Sequence, residues 1–314
     1  MPWMLLPEPP PPPDAVSREL GDSVWVMVGG LASALQQAGV AAVLLETSSR
    51  PRCIFAAGFS VANALLAADG DPAHFERGWE HLRARRFVAT AALGSYRLLA
   101  AADGFLDELS TKLAMLSGPA KPPHGTPASA NGTRPERSAI HVAGDDGFVA
   151  LPAEPIAPGW RSAVKSALRR SKTSAPLVAA AIREAASVAP RILVLGVDRP
   201  LQTHPDVDAA RRLALSAGAE VDFVTTPPED APGLLDYLLP GSGAPERLVT
   251  GGRTAAEAWL RARTVENASS DRQSPAVVAD SAPLDGNQVD GGGVDSAVRG
   301  AWRRDFNDAS SWEK

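Results

Sequence analysis

The chain has 314 residues, of which 45% are hydrophobic, so it is long enough to bury one large core or two smaller ones. Its 31 Lys and Arg residues nearly balance 36 Asp and Glu residues, and neither sign forms a long block, which argues against nucleic acid as a partner. No run approaches the ~20 apolar residues of a transmembrane segment, and Cys53, as the single cysteine, excludes an intramolecular disulfide and favours a cytoplasmic location.

In chain order, the first predicted segment is a proline-rich, disordered arm over residues 1–20. The domain that follows, residues 21–266, alternates buried strands with helices. Its first half predicts a strand at Val24–Gly30, a helix at Leu31–Val40 ended by Gly39, and strands in "AAVLLET" (41–47) and "RCIFAAG" (52–58). One or two helices, punctuated by Gly70 and Pro72, follow from residue 61, and another helical stretch covers 89–115.

The second half opens after a Pro/Gly-rich link at residues 117–136. Order resumes with "SAIHVAGDDGFVALP" (138–152), and a basic amphipathic helix is predicted around 160–187. Then come a strand at 191–197, a helix at 205–219 capped by Gly218, a strand at 220–226 and a last helix at 254–264. The tail, residues 267–314, is predicted to be mostly disordered.

Strands that alternate with helices of 10 to 15 residues predict an α/β fold. We expect a three-layer arrangement in which a mainly parallel sheet is flanked by helices, as one domain. Reactive groups in such folds collect at the carboxyl ends of the strands.

One serine, Ser60, lies at such a strand end, in "GFSVA" (58–62). Gly58 and Ala62 are small, as a sharp turn from strand to helix requires around a nucleophile. Backbone N–H groups at the start of the following helix would face the reaction centre. An equally simple reading is that Ser60 only caps a helix that begins at Val61.

The wider stretch resembles the nucleophile-elbow region of patatin-like phospholipases. Ser60, Asn63, Ala67, Gly70 and Trp79 fall where that family's pattern places its serine, helix residues, glycine and tryptophan. Upstream, "VMVGGLASALQQAGV" (26–40) is similar to the family's glycine-rich loop and the helix after it. Downstream, "ASANGTRPERSAIHVAGDDGFVALP" (128–152) resembles the region that carries the family's Asp-Gly pair.

The resemblance implies a serine acyl hydrolase with a Ser-Asp dyad, Ser60 and Asp146, acting on a lipid or other acyl ester. Backbone N–H groups near Gly29, Gly30 and Val61 would bind the oxyanion. We expect no cofactor and no metal, and an acyl ester or lipid substrate would allow transient contact with a membrane surface.

The chain also departs from the family's pattern. Only Gly29 and Gly30 precede the helix, without the arginine or lysine of the usual oxyanion loop, and Phe148 follows the Asp146-Gly147 pair. These departures favour an alternative function, a catalytically inactive α/β binding or regulatory module. Such a module would act through its anion-friendly helix starts or its proline-rich arm.

Other chemistry has weaker support in the sequence. The five histidines lack the spacing of a helix-borne metal site, although His204, which follows a predicted strand, could complete a triad with Ser60. Gly251-Gly252-Arg253, placed before the last predicted helix, could bind an anion, or the helix could simply be capped by Thr254. Cys53 is expected to be a buried small hydrophobe.

Overall fold

The computed structural model of the chain describes residues 23–47, 50–82, 102–116, 137–170, 174–226 and 243–273. In chain order the elements are β1 (Val24–Gly29), α1 (Leu31–Glu46), β2 (Cys53–Gly58), α2 (Ser60–Ala67), α3 (Pro72–Leu82), α4 (Ala102–Leu116), β3 (Ala139–Ala143), β4 (Phe148–Ala150), α5 (Trp160–Arg169), α6 (Ala175–Ala185), β5 (Arg191–Val197), α7 (Arg199–Gln202), α8 (Pro205–Ser216), β6 (Glu220–Thr225) and α9 (Ala244–Gln273). The predicted arm (1–20) and link (117–136) lie outside the described residues.

The strands form one six-stranded sheet in the order β4-β3-β2-β1-β5-β6. All neighbouring strands are parallel except β3 and β4, which form an antiparallel hairpin. β1 lies inside the sheet, with β2 and then β3 on one side of it and β5 and then β6 on the other. The predicted α/β fold with three layers and a mainly parallel sheet is therefore confirmed.

The strands direct alternate apolar side chains to opposite faces of the sheet, so helices cover both faces. Trp25, Met27, Ile54 and Ala56 pack on one face, with helices α1 to α5 and α9. The opposite face carries the alternate residues of the same strands, including Phe55, and packs against α6 and α8. In the described ranges, no helix is both long enough and apolar enough to cross a membrane.

Helix α1 is longer than predicted. It passes through Gly39 and includes most of "AAVLLET", so the predictions of a helix end at Gly39 and a strand at 41–47 were wrong. Residues 40–45 are all buried, because α1 is packed between the sheet on one side and α9 on the other. A helix buried on both sides has a continuous apolar run, which periodicity does not distinguish from a buried strand.

Two glycines allow the backbones of α1 and α9 to touch. A Cβ on Gly39 would lie 2.0 Å from the Val249 carbonyl oxygen, and one on Gly252 would lie 2.0 Å from the Gln36 carbonyl oxygen. Gly39 is therefore a helix-contact residue rather than a cap. Because Gly252 lies inside a helix that begins at Ala244, the prediction of a last helix starting at 254 was also wrong.

The same helix corrects two further predictions. The Gly251-Gly252-Arg253 segment is not at a helix N-terminus, so neither an anion site nor a cap at Thr254 is formed there. The Arg253 guanidinium instead pairs with Glu46 at 2.5 Å and lies 3.8 Å from Glu76. Helix α9 also continues to Gln273, which includes residues 267–273 that the sequence assigned to the tail.

We expect Gly39→Ala to lower the free energy of unfolding by about 2 to 3 kcal/mol, because the new methyl group would collide with the backbone of α9. Urea unfolding followed by circular dichroism measures the change. Gly104→Ala in α4 is the matched control. Its Cβ would have no atom within 4 Å among the described contacts, so the control should be neutral or up to about 1 kcal/mol more stable. Equal effects of the two substitutions would contradict the close helix contact.

Candidate functional site

The turn between β2 and α2 has the tight geometry that the sequence predicts. Strand β2 ends at Gly58, as expected, and α2 begins at Ser60, one residue before the predicted start. Gly58 has a φ of +67°, and a Cβ there would lie 2.3 Å from the Gly29 carbonyl oxygen and 3.1 Å from that of Arg170. The Phe59 N–H donates to the Gly29 carbonyl at 3.0 Å. Glycine at position 58 is thus required by both conformation and space.

The Ser60 hydroxyl is fully enclosed at this turn. Ser60 is 0% exposed, and its Oγ has no hydrogen-bond partner in the part of the chain that the structure describes. It does not cap α2 either, since the N-cap position is Phe59 and no side-chain cap bond is formed. Ser60 is therefore neither a helix cap nor a serine already hydrogen-bonded to a base.

Asp146 lies on the same edge of the sheet. It occupies the turn between β3 and β4, and β3 is the parallel neighbour of β2, so this turn and the β2–α2 turn both follow carboxyl ends of adjacent strands. Asp146 is exposed, whereas Ser60 is buried. The expected hydrogen bond between Asp146 and Ser60 Oγ is not formed. The neighbouring Asp145 accepts a hydrogen bond from the Arg170 guanidinium at 3.2 Å.

The proposed oxyanion groups lie around the starts of α1 and α2, two helices that follow the adjacent strands β1 and β2. Gly29 ends β1, and its carbonyl faces the Phe59 N–H. Gly30 is the N-cap residue of α1, and its carbonyl accepts from the Ala34 N–H at 2.9 Å. Val61 lies in the buried first turn of α2. The structure thus brings Gly29, Gly30 and Val61 to the edge where Ser60 lies.

Asn63 and Trp79, two residues of the sequence resemblance, have a structural role. The Trp79 indole N–H donates to Asn63 Oδ1 at 2.9 Å, and Asn63 Nδ2 donates to the Ala34 carbonyl at 2.8 Å. This buried chain of two hydrogen bonds joins α3 to α2 and α2 to α1. Helix packing alone explains why Asn63 and Trp79 are present in the motif.

A buried glutamine on α1, hydrogen-bonded to the end of β1, was not anticipated from the sequence. The paired register of β1 and β5 ends at Val26 and Val194, and beyond it Gln37 Nε2 donates to the Val28 carbonyl at 3.2 Å. Gly196, with a φ of +60°, leaves room for the Gln37 side chain. In the sequence, "QQ" at residues 36–37 looks like a solvated pair. Only the three-dimensional contacts show that Gln37 is buried and hydrogen-bonded to β1.

The other candidates do not add a catalytic group. His204 Nδ1 accepts from the Asp206 N–H at 3.3 Å at the start of α8, so its ring serves that helix rather than Ser60. Burial raises the pKa of the Cys53 thiol to about 11, as expected of an inert buried cysteine. Across the described ranges, no three His, Cys, Asp or Glu side chains cluster as metal ligands.

Comparison with known proteins gives no family for the chain. No model of a known protein family matches it, and no curated protein matches it significantly. The resemblance to patatin-like phospholipases consequently depends on the sequence motifs named above.

We expect Ser60→Ala to raise the free energy of unfolding by about 1 kcal/mol, because it removes a buried hydroxyl that lacks a hydrogen bond. Ser138→Ala is the matched control. That hydroxyl is also buried but donates to the Pro51 carbonyl at 2.5 Å, so its loss should cost about 1 kcal/mol. Urea unfolding of the three proteins measures both changes. A clear loss of stability in Ser60→Ala would mean that the hydroxyl has a partner.

A double-mutant cycle tests the Asn63 network. Asn63→Ala should lower the free energy of unfolding by about 2 to 3 kcal/mol, since the Trp79 indole N–H and the Ala34 carbonyl both lose their partner. Trp79→Phe removes the donor first, so Asn63→Ala should cost less in that background. Additive effects, measured by urea unfolding, would contradict the network.

Proposed function

We propose that the protein is a non-catalytic binding or regulatory module built on a three-layer α/β scaffold. The observation that carries this proposal is the state of Ser60, which is fully buried and has no hydrogen-bonded base among the described residues. A serine hydroxyl is a weak nucleophile until a base within hydrogen-bond reach removes its proton. Substrate must also reach it, and Ser60 is 0% exposed here.

Three further features support a binding role over hydrolysis. The proposed base, Asp146, is exposed to solvent rather than directed to the serine. Only Gly29, the last residue of β1, and Gly30 precede α1, without an arginine or lysine to help stabilise an oxyanion. The glycine of the motif is accounted for by packing, because a Cβ on Gly58 would collide with the Gly29 and Arg170 carbonyls. With its one cysteine buried and unpaired, we place this role in the cytoplasm.

A serine acyl hydrolase is the second candidate, and one observation favours it. Ser60 follows a left-handed glycine at the carboxyl edge of a parallel strand, and the Asp146 turn lies at the end of the neighbouring strand. This is the strand-turn-helix context of a nucleophile. Hydrolysis would require the edge to open, Asp146 to reach the serine, and an acyl ester or lipid to enter.

An esterase assay separates the two candidates. We expect the unmodified protein to hydrolyse nitrophenyl esters, from acetate to palmitate, no faster than buffer, with or without phospholipid vesicles. A nucleophile acts only together with its base and oxyanion donors, so a true hydrolase should lose several orders of magnitude in rate in both Ser60→Ala and Asp146→Asn. The Ser138→Ala protein serves as the control. Ester hydrolysis that disappears in Ser60→Ala and persists in Ser138→Ala would overturn the non-catalytic proposal.

A further inference from the structure

A half-buried histidine joins three strands near the carboxyl edge of the sheet. The His141 ring on β3 stacks on Phe55 of β2, with ring centroids 4.7 Å apart and an interplanar angle of 24°. Phe148 of β4 meets the same Phe55 ring edge-on at 5.4 Å. The packing of β4 onto the sheet therefore depends on an aromatic group that includes a titratable ring.

Glu184 of α6 joins the β3–β4 turn to the helix layer. Its Oε1 accepts from the Phe148 N–H at 3.2 Å, and a Cβ on Gly147, whose φ is +131°, would lie 3.0 Å from the same oxygen. Within the turn, the Gly144 N–H donates to the Gly147 carbonyl at 2.7 Å. These bonds hold closed the turn that bears Asp145 and Asp146.

Among the described residues, the charge that acts on the His141 ring is the negative charge of Glu184. Glu184 faces it from α6, while the other charged residue beside it on that helix, Arg183, is exposed. Cys53 of β2 lies on the same face, and its raised pKa keeps the thiol neutral. Phe148 and Ala150 of β4 carry no charge, and α2 and α5 pack on the opposite face of β3.

Burial lowers the pKa of the His141 imidazole from its ordinary value of 6.5, and the negative charge of Glu184 opposes part of this shift. The folded surroundings of the ring therefore disfavour an imidazolium at position 141. By linkage, an opened turn that admits water to the ring binds the proton better.

We propose that protonation of His141 opens the β3–β4 turn, making it an acid-sensitive gate on the carboxyl edge of the sheet. Opening withdraws Phe148 from Phe55 and from Glu184, so that water solvates the His141 ring. The contact between Asp145 and Arg170 is broken in the same movement, and the Arg170 backbone is the segment that covers Gly58. The gate does not depend on whether Ser60 is catalytic.

Hydrogen exchange of the Phe148 amide tests the gate, with rates corrected for the intrinsic effect of pH. The folded state has the lower pKa, so protection should be constant well above 6.5, fall by at most about tenfold per pH unit below it, and level off below the pKa of the closed state. The Val26 amide in the centre of the sheet should stay more strongly protected than Phe148 at every pH, because its exchange requires global unfolding rather than opening of the turn. The His141 ring, followed by NMR in the same samples, should titrate together with the Phe148 amide.

Three variants complete the experiment. His141→Gln should make Phe148 protection independent of pH between 7.5 and 5.5, and His74→Gln, a control on α3 at the opposite face, should leave the acid response unchanged. Glu184→Gln keeps an oxygen acceptor for Phe148 but removes the charge, so the fall should extend to lower pH. The gate is refuted if Phe148 is as strongly protected as Val26, so that both exchange only by global unfolding, if Phe148 protection is constant in the unmodified protein, or if His141→Gln retains the response.

Discussion

The contact between the β2–α2 turn and the end of β1 determines how this edge of the sheet is built. Gly58 adopts a positive φ with no space for a side chain, and this lets the Phe59 N–H reach the Gly29 carbonyl. Helix α2 consequently begins directly against the sheet, and every one of its residues is buried. The enclosed position of Ser60 follows from that contact, because it is the first residue of the helix.

The small residues around Ser60 have two possible physical explanations. A nucleophile elbow needs small residues around its serine because backbone segments approach closely there. The same small residues are needed wherever a helix starts tightly against a parallel strand, whatever the serine does. Asn63 and Trp79 illustrate the point, since both are satisfied by hydrogen bonds to helix neighbours. A motif match therefore reports the local fold more directly than the chemistry.

The sequence predicted β1, β2 and β5 well because each is a short, buried apolar run bounded by turn residues. It failed where tertiary contacts override local signals. Gly39 and Gly252 resemble helix boundaries, yet both are interior residues at a close helix crossing. At the candidate site, the positions of Ser60, Gly29 and Gly30 followed from the strand ends. The burial of Ser60, the role of Gln37 and the grouping of His141 with Phe55 and Glu184 depend on residues far apart in sequence.

In the part of the chain that the structure describes, no base is hydrogen-bonded to the buried Ser60 hydroxyl, and a base in that position is what hydrolysis requires. Covalent labelling measures this property most directly. The protein is incubated with a fluorophosphonate, and peptides spanning Ser60 are examined by mass spectrometry, with the Ser60→Ala protein as the blank. We expect no adduct on Ser60, because an enclosed and unactivated hydroxyl does not attack phosphorus. Stoichiometric modification of Ser60 in the folded protein would contradict the non-catalytic proposal and establish an activated serine.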